Sequence, residues 1–255
     1  ESRPLRWLGR PAAGPVTAIA ARCQVYWLKD PRYSASLVAL PLLAVMMVWF
    51  SQSAAVPGAM LLFFLPPLVA WSLGFAISAD IAYDNTAFHL HMVSAVAGVH
   101  DRAGRALAVA PGGVSATVLT SLFAAGLADA WHHLPALLGF SLGTFAVMLG
   151  LASFVSARFV YPVQKPGESP FATPQGSMMR TALVQVATMG VSALLTLPML
   201  GLAVAYAVTQ AAWLGWATGV FCLLWGAAAL WLGIRLGGRW LDRCQAETFQ
   251  AVQSF

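Results

Sequence analysis

Six long apolar stretches, none containing Asp, Glu, Lys or Arg, govern what this chain can fold into. A helix needs about 20 mostly apolar residues to cross a bilayer. Stretches at about 33–50, 54–78, 107–127, 134–155, 181–207 and 211–234 reach or approach that length. The pattern predicts an all-α polytopic membrane protein with six transmembrane helices in one membrane domain, residues 33–236. Residues 1–32 and 237–255 form amphipathic segments on either side of it. Composition agrees: only 9% of the 255 residues are charged, whereas a soluble domain is about a quarter charged.

The basic residues give the orientation. Arg3, Arg6, Arg10, Arg22, Lys29 and Arg32 precede the first stretch; Arg102 and Arg105 lie between the second and third. Arg158, Lys165 and Arg180 lie between the fourth and fifth, and Arg235, Arg239 and Arg243 follow the sixth, which accounts for all 14. Cytoplasmic loops collect Lys and Arg, so both termini are expected inside a multi-pass protein of the cell membrane. The net charge of +5 and a pI near 9.5 come from these flanking anchors. A nucleic-acid partner is therefore not expected; the bilayer is.

The N-terminal segment repeats Val16, Ile19, Ala20, Cys23, Tyr26 and Trp27 at helical spacing. This predicts an interfacial helix with Arg22 and Lys29 towards lipid phosphates, stopped by Asp30-Pro31. The tail repeats Leu241, Cys244, Thr248, Phe249, Val252 and Phe255, a stripe that suits either the protein's own surface or a partner. Pro66, Pro67 and Pro198 should kink the second and fifth helices. Pairs of glycines four apart, Gly139/Gly143, Gly215/Gly219 and Gly233/Gly237, suit close helix packing. Cys23, Cys222 and Cys244 are scattered, and no disulfide is expected. The chain begins at Glu1 rather than Met and reads as a processed chain or a part of a longer one.

Several activities lack their residues. Uncharged spans offer no mid-membrane proton relay. The two lysines, Lys29 and Lys165, stand in no Gly-x-x-x-x-Gly-Lys-Ser/Thr loop, so the chain is not expected to hydrolyse ATP itself. His89 and His91, two residues apart, point to different faces of a helix. With His100, Asp84 and Asp101 they give a weak metal pattern, and no metal is expected. Two other readings stay open: a membrane enzyme with an interfacial His/Asp site in this loop, and a non-catalytic assembly subunit held by its terminal helices.

Three motifs resemble those of ABC-2-type exporter permeases, the actinobacterial antibiotic-exporter-like members above all. Trp27-Leu28-Lys29-Asp30-Pro31-Arg32 stands between an amphipathic segment and an apolar span. Ala82-Tyr83-Asp84-Asn85-Thr86-Ala87-Phe88 resembles the family's aromatic-Gly-x-Asp-Gly segment, with Asn85 in place of its second glycine. Asp101-Arg102-Ala103-Gly104-Arg105-Ala106-Leu107-Ala108 resembles its basic entry into the third helix. The short connection between the fifth and sixth stretches departs from relatives that carry re-entrant helices there.

The resemblance implies a permease subunit of an ATP-driven exporter of hydrophobic or amphiphilic molecules. ATP and Mg would be held by separate ABC ATPase subunits, and a second six-helix unit would complete the path, either a homodimer partner or the other half of a longer chain. Coupling to the ATPase would run through Asp84, Asn85, Phe88, His89, Leu90, Asp101, Arg102 and Arg105. In that reading Asp84 or Asn85 caps a helix starting near Thr86, and Phe88, Leu90 and Met92 or Val93 dock in the ATPase. Asp101 caps the third helix, and Arg102 and Arg105 lie at the membrane surface. Trp27, Lys29, Asp30, Pro31 and Arg32 would shape the entry to the first span.

Overall fold

The computed structural model describes residues 14–53, 58–163 and 178–253, and among them every regular element is helical. Helix α1 (Pro15–Lys29) ends where Asp30 takes extended backbone, φ −93° and ψ 117°, the conformation that the following Pro31 favours. Pro31 opens α2 (Pro31–Ser53), followed by α3 (Gly58–Phe75). A short α4 (Asp80–Asp84), a 3-10 turn (Asn85–Phe88) and a short α5 (His89–Val93) make the long connection. Then come α6 (Gly98–Leu127), α7 (Leu134–Arg158), α8 (Met178–Thr209) and α9 (Ala212–Gln253).

Four helices, α6 to α9, are long and apolar enough to cross a membrane. Where two more full spans were expected, α2 and α3 supply shorter apolar runs, Leu40–Gln52 and Leu61–Phe75; residues 54–57 lie outside the described ones. Two boundaries differ from expectation. Helix α6 starts at Gly98 instead of near Leu107, so Asp101, Arg102 and Arg105 belong to the same helix as the span. Helix α9 runs through the expected end at Ile234 and bends at Cys244, whose φ is −125° and ψ 30°. The tail is therefore a continuation of the last span. Pro66, Pro67 and Pro198 lie inside continuous helices, as do Pro41 and Pro111.

Glycine sets the spacing at the centre. Helices α7 and α9 run parallel with their backbones in contact. A Cβ on Gly150 would lie 2.6 Å from the Ala229 carbonyl oxygen, one on Gly226 2.7 Å from that of Gly143, and one on Gly237 2.7 Å from that of Ser153. Gly139 faces Gly219 and Gly233 faces Gly150 in the same manner. Of the glycines expected to pack helices, Gly215 differs, since it meets the Tyr206 ring. On the other side of α7 a core joins Leu65, Val69 and Leu73 of α3, Ala106 and Val109 of α6, and Phe145 and Leu149.

Helix α8 is peripheral. It is tied to the bundle by polar contacts along its length: Trp71 Nε1 donates to Ser192 Oγ at 3.2 Å, Trp225 Nε1 to the Leu195 carbonyl at 2.9 Å, and Tyr206 Oη lies 2.8 Å from His133 Nδ1. The last contact puts the α6–α7 and α8–α9 turns at one end of the bundle. Both turns use a left-handed residue, Asp129 (φ 48°) and Gln210 (φ 53°). The antiparallel order then gathers Arg22, Arg102, Arg105, Arg158, Arg180, Arg235, Arg239 and Arg243 at the other end.

The contrast between close-packed and open glycines is measurable. Gly150→Ala should destabilise the protein by about 1–3 kcal/mol, because backbone atoms of α9 occupy the space. Gly201→Ala, with nothing within 4 Å of the new Cβ, should be neutral or stabilising by up to about 1 kcal/mol. Thermal unfolding in detergent compares the two; equal effects would show that the α7–α9 contact is looser than described.

Candidate functional site

At the arginine-rich end, the connection between α3 and α6 folds onto the start of α6 around a buried ionic cluster. Asp80 and Asp84 are one turn apart on α4 and point the same way. Asp101, Arg102 and Arg105 come from the first two turns of α6. Arg102 and Arg105 are 0% and 1% exposed, a placement tolerated only when charges are paired and hydrogen-bonded.

The pairing is extensive. Arg102 Nε donates to Asp101 Oδ2 at 2.9 Å and its Nη1 to Asp80 Oδ1 at 3.2 Å, while Nη2 also pairs with Asp101. Arg105 Nε lies 3.1 Å from Asp101 Oδ2, its Nη1 donates to the Asp80 carbonyl at 3.2 Å, and its Nη2 binds Asp84. From α1, Arg22 Nη2 reaches Asp84 Oδ2 at 3.3 Å. From α7, Ser156 Oγ donates to Asp80 and accepts the Ile81 amide at 3.4 Å. His91 of α5 places Nδ1 3.0 Å from Asp101 Oδ1. Three carboxylates thus meet three guanidinium groups, and the formal charges cancel.

An apolar layer backs the cluster. Phe88 is buried with Ile81, Ala157, Val160, Leu241 and Val252, and Phe249 of the tail lies against the His89 ring at 5.7 Å between centroids. The tail stripe covers the protein's own surface. Asp242 of α9 accepts the Gly98 amide at 2.6 Å and so caps α6 from across the bundle, where no side chain of α6's own segment does. A cavity of about 10 Å³ remains between Phe88, His91, Gly98, Asp101 and Leu241, near the size that holds one water. His91 Nε2 has no hydrogen-bond partner among the described residues.

Several expected positions change. Arg22 turns to Asp84 rather than to lipid phosphate, and Arg102 and Arg105 are interior rather than at the membrane surface. Asp101 lies inside α6 and binds both arginines instead of capping the helix. Asp84 closes α4 and binds Arg105 and Arg22 instead of capping a helix at Thr86. Phe88 faces the core; Leu90 and Val93 are the exposed apolar side chains of the connection, at 60% and 69%. Trp27 packs on the α3–α6–α7 core, Lys29 is exposed, and Asp30 is the C-cap of α1. Asn85 opens the 3-10 turn and Pro31 and Arg32 open α2, with side chains outside the described set, like that of Met92. Arg3, Arg6, Arg10, Lys165 and Phe255 also lie outside it.

Asp80, Ser156 and Asp242 belong to this site although sequence reasoning did not select them. Among the described residues, no group of three or more His, Cys, Asp and Glu side chains is placed to hold a metal ion, and Cys23, Cys222 and Cys244 are free thiols. Comparison with known protein families, characterised proteins and solved structures gives no match.

Two outcomes test this geometry. Arg105→Gln leaves Asp84 and Asp101 undercompensated and should cost about 3–5 kcal/mol, of which a second change, Asp84→Asn, should restore part; denaturant titration reads both. Cys23 lies beneath the cluster, and its burial pushes its thiol up to about 11, with Asp84 raising and Arg105 lowering it. Since the thiolate is the nucleophile, maleimide should label Cys23 negligibly at pH 7 and increasingly as pH climbs towards 11. Fast labelling at pH 7 would mean that α1 does not cover the cluster.

Proposed function

We propose that this chain is the transmembrane permease subunit of an ATP-driven exporter of hydrophobic or amphiphilic molecules, driven by a separate ATPase chain that engages the connection between α3 and α6. The observation that carries the reading is the buried ionic cluster. A free loop would absorb a push; this one is fastened to the first two turns of α6 and, through Ser156 and Arg22, to α7 and α1. Displacement at the surface of α4 or α5 therefore reaches a membrane helix directly. Leu90 and Val93 give that surface an apolar contact of the kind that anchors a partner.

In this scheme ATP and Mg stay on the partner ATPase, whose closure moves the connection and with it α6. A second permease unit faces the first across exposed apolar helix surfaces, and the substrate follows a path without fixed charge. The reading of a membrane enzyme at the same place is disfavoured by the pairing, since Asp80, Asp84 and Asp101 each hold a guanidinium group.

Co-expression with an ATP-binding-cassette ATPase encoded beside it tests the proposal. The two chains should co-purify in detergent, and ATP turnover should rise in the complex. Leu90→Asp with Val93→Asp should weaken association by at least about tenfold, since each apolar side chain buried on binding contributes about 1.5–3 kcal/mol, with the melting temperature unchanged. A pure chain that recruits no ATPase, or a variant that associates as well as the parent, overturns the assignment.

A further inference from the structure

Outside the buried cluster, the guanidinium groups of α9 form a row. Arg235, Arg239 and Arg243 are exposed and four residues apart, so each lies about one turn beyond the last. Trp231 starts the row one turn earlier, also exposed, and the Arg235 guanidinium lies 4.2 Å from its ring centroid. Next to the row, at the end of α7, Arg158 lies 4.2 Å over the Trp240 ring and 4.9 Å over Phe159. Among the described residues no carboxylate forms an ion pair with any of these four arginines. The nearest acid in sequence, Asp242, is occupied by the Gly98 amide. The opposite face of α9 is filled by the glycine contacts with α7, so the row is on the side turned away from the bundle.

Depth in the bilayer follows from helix geometry. Trp213 and Trp231 are both exposed and about 27 Å apart at 1.5 Å per residue. That matches a hydrocarbon core of about 30 Å, with tryptophan favoured at both boundaries. Arg235 then falls about 6 Å beyond the Trp231 level, in the head-group layer. Arg239 lies one turn further out and can extend back along its stem. Leu232, exposed beside Trp231, is at the boundary with the acyl region. A planar guanidinium matches phosphate oxygens bidentately, and arginines in a head-group layer without carboxylate partners need anions from the lipid.

We propose that the Trp231–Arg235–Arg239 face of α9, with Arg158 beside it, binds the head groups of anionic phospholipids. The inference does not depend on the exporter reading; it needs only the helix in a bilayer.

The test uses the full chain in vesicles of equimolar phosphatidylcholine and phosphatidylglycerol, extracted gently and examined for retained lipid by native mass spectrometry. The parent protein should retain phosphatidylglycerol in excess. Arg235→Gln with Arg239→Gln should reduce that excess by roughly 25-fold, from about fivefold per arginine near an anionic surface. Arg235→Lys with Arg239→Lys keeps the charge but not the bidentate fork, so it should lose less than the Gln pair and yet fall below the parent. Raising NaCl to about 0.5 M during extraction should lower the excess of the unmodified protein through screening, which tests the site without any substitution. Arg180→Gln, at the same end but on α8, should leave the ratio unchanged. An unchanged ratio in the double Gln variant, or an equal loss from Arg180→Gln, overturns the proposal in favour of a diffuse surface charge.

Discussion

Two guanidinium groups with almost no exposure, Arg102 and Arg105, dictate how the arginine-rich end is built. Removing an ion from water costs several kcal/mol even after relaxation. Helix α6 can therefore seat these residues only when three carboxylates arrive with them. Asp101 comes from its own turn, but Asp80 and Asp84 must be delivered by α4. The fold of the connection follows from this demand. Its two acids lie one turn apart, Ser156 of α7 fixes one of them, and Arg22 brings α1 to the other. Four helices from distant parts of the chain take their relative positions from one charge-balanced group. Such groups are often no more stabilising than apolar packing of equal volume. What this one contributes is register: a shift of α4 by one residue would point both acids away from their partners.

A second constraint, the contact of α7 with α9, completes the site from the other side. Backbone contact is possible because glycines alternate between the two helices, Gly139 against Gly219, Gly150 against Gly233 and Gly237 against Ser153. The closeness continues to the helix end, where a Cβ on Gly238 would lie 2.5 Å from the Val99 amide nitrogen. Only at that separation can Asp242 reach the Gly98 amide. The same approach lays Leu241 and Val252 over Phe88. The cap of α6 and the cover over the connection thus depend on the close approach that small residues allow.

Much of the framework was legible in the sequence. Periodicity and apolar length identified α1 and α6 to α9, Asp30-Pro31 marked the break before α2, and glycine spacing marked faces of α7 and α9 for close packing without saying which helix each would meet. The burial of Arg102 and Arg105 was not legible by the same logic, because arginines between spans report which side of a membrane a segment occupies and not whether it is covered. Spacing did carry a signal: Asp80/Asp84 and Asp101/Arg105 are each four residues apart, the interval at which helical side chains act together. The direction of Phe88 and of the tail stripe was ambiguous for a related reason. An amphipathic pattern says that one face will be covered, while the identity of the cover is set by tertiary contacts.

Packing also separates the bundle into parts of different stiffness. Helices α3, α6, α7 and α9 share cores or backbone contact, so moving one requires breaking dense packing. Helix α8 meets them through a smaller core, Met199 with Val147 and Cys222, and through hydrogen bonds to Trp71, Trp225 and His133, while Gly190 and Gly201 have nothing within 4 Å of their Cβ positions. Close-packed interfaces pass on displacement, whereas sparse ones yield to it. Four of the helices thus form one densely packed group with the ionic cluster at its arginine-rich end, and α8 borders that group through a smaller contact.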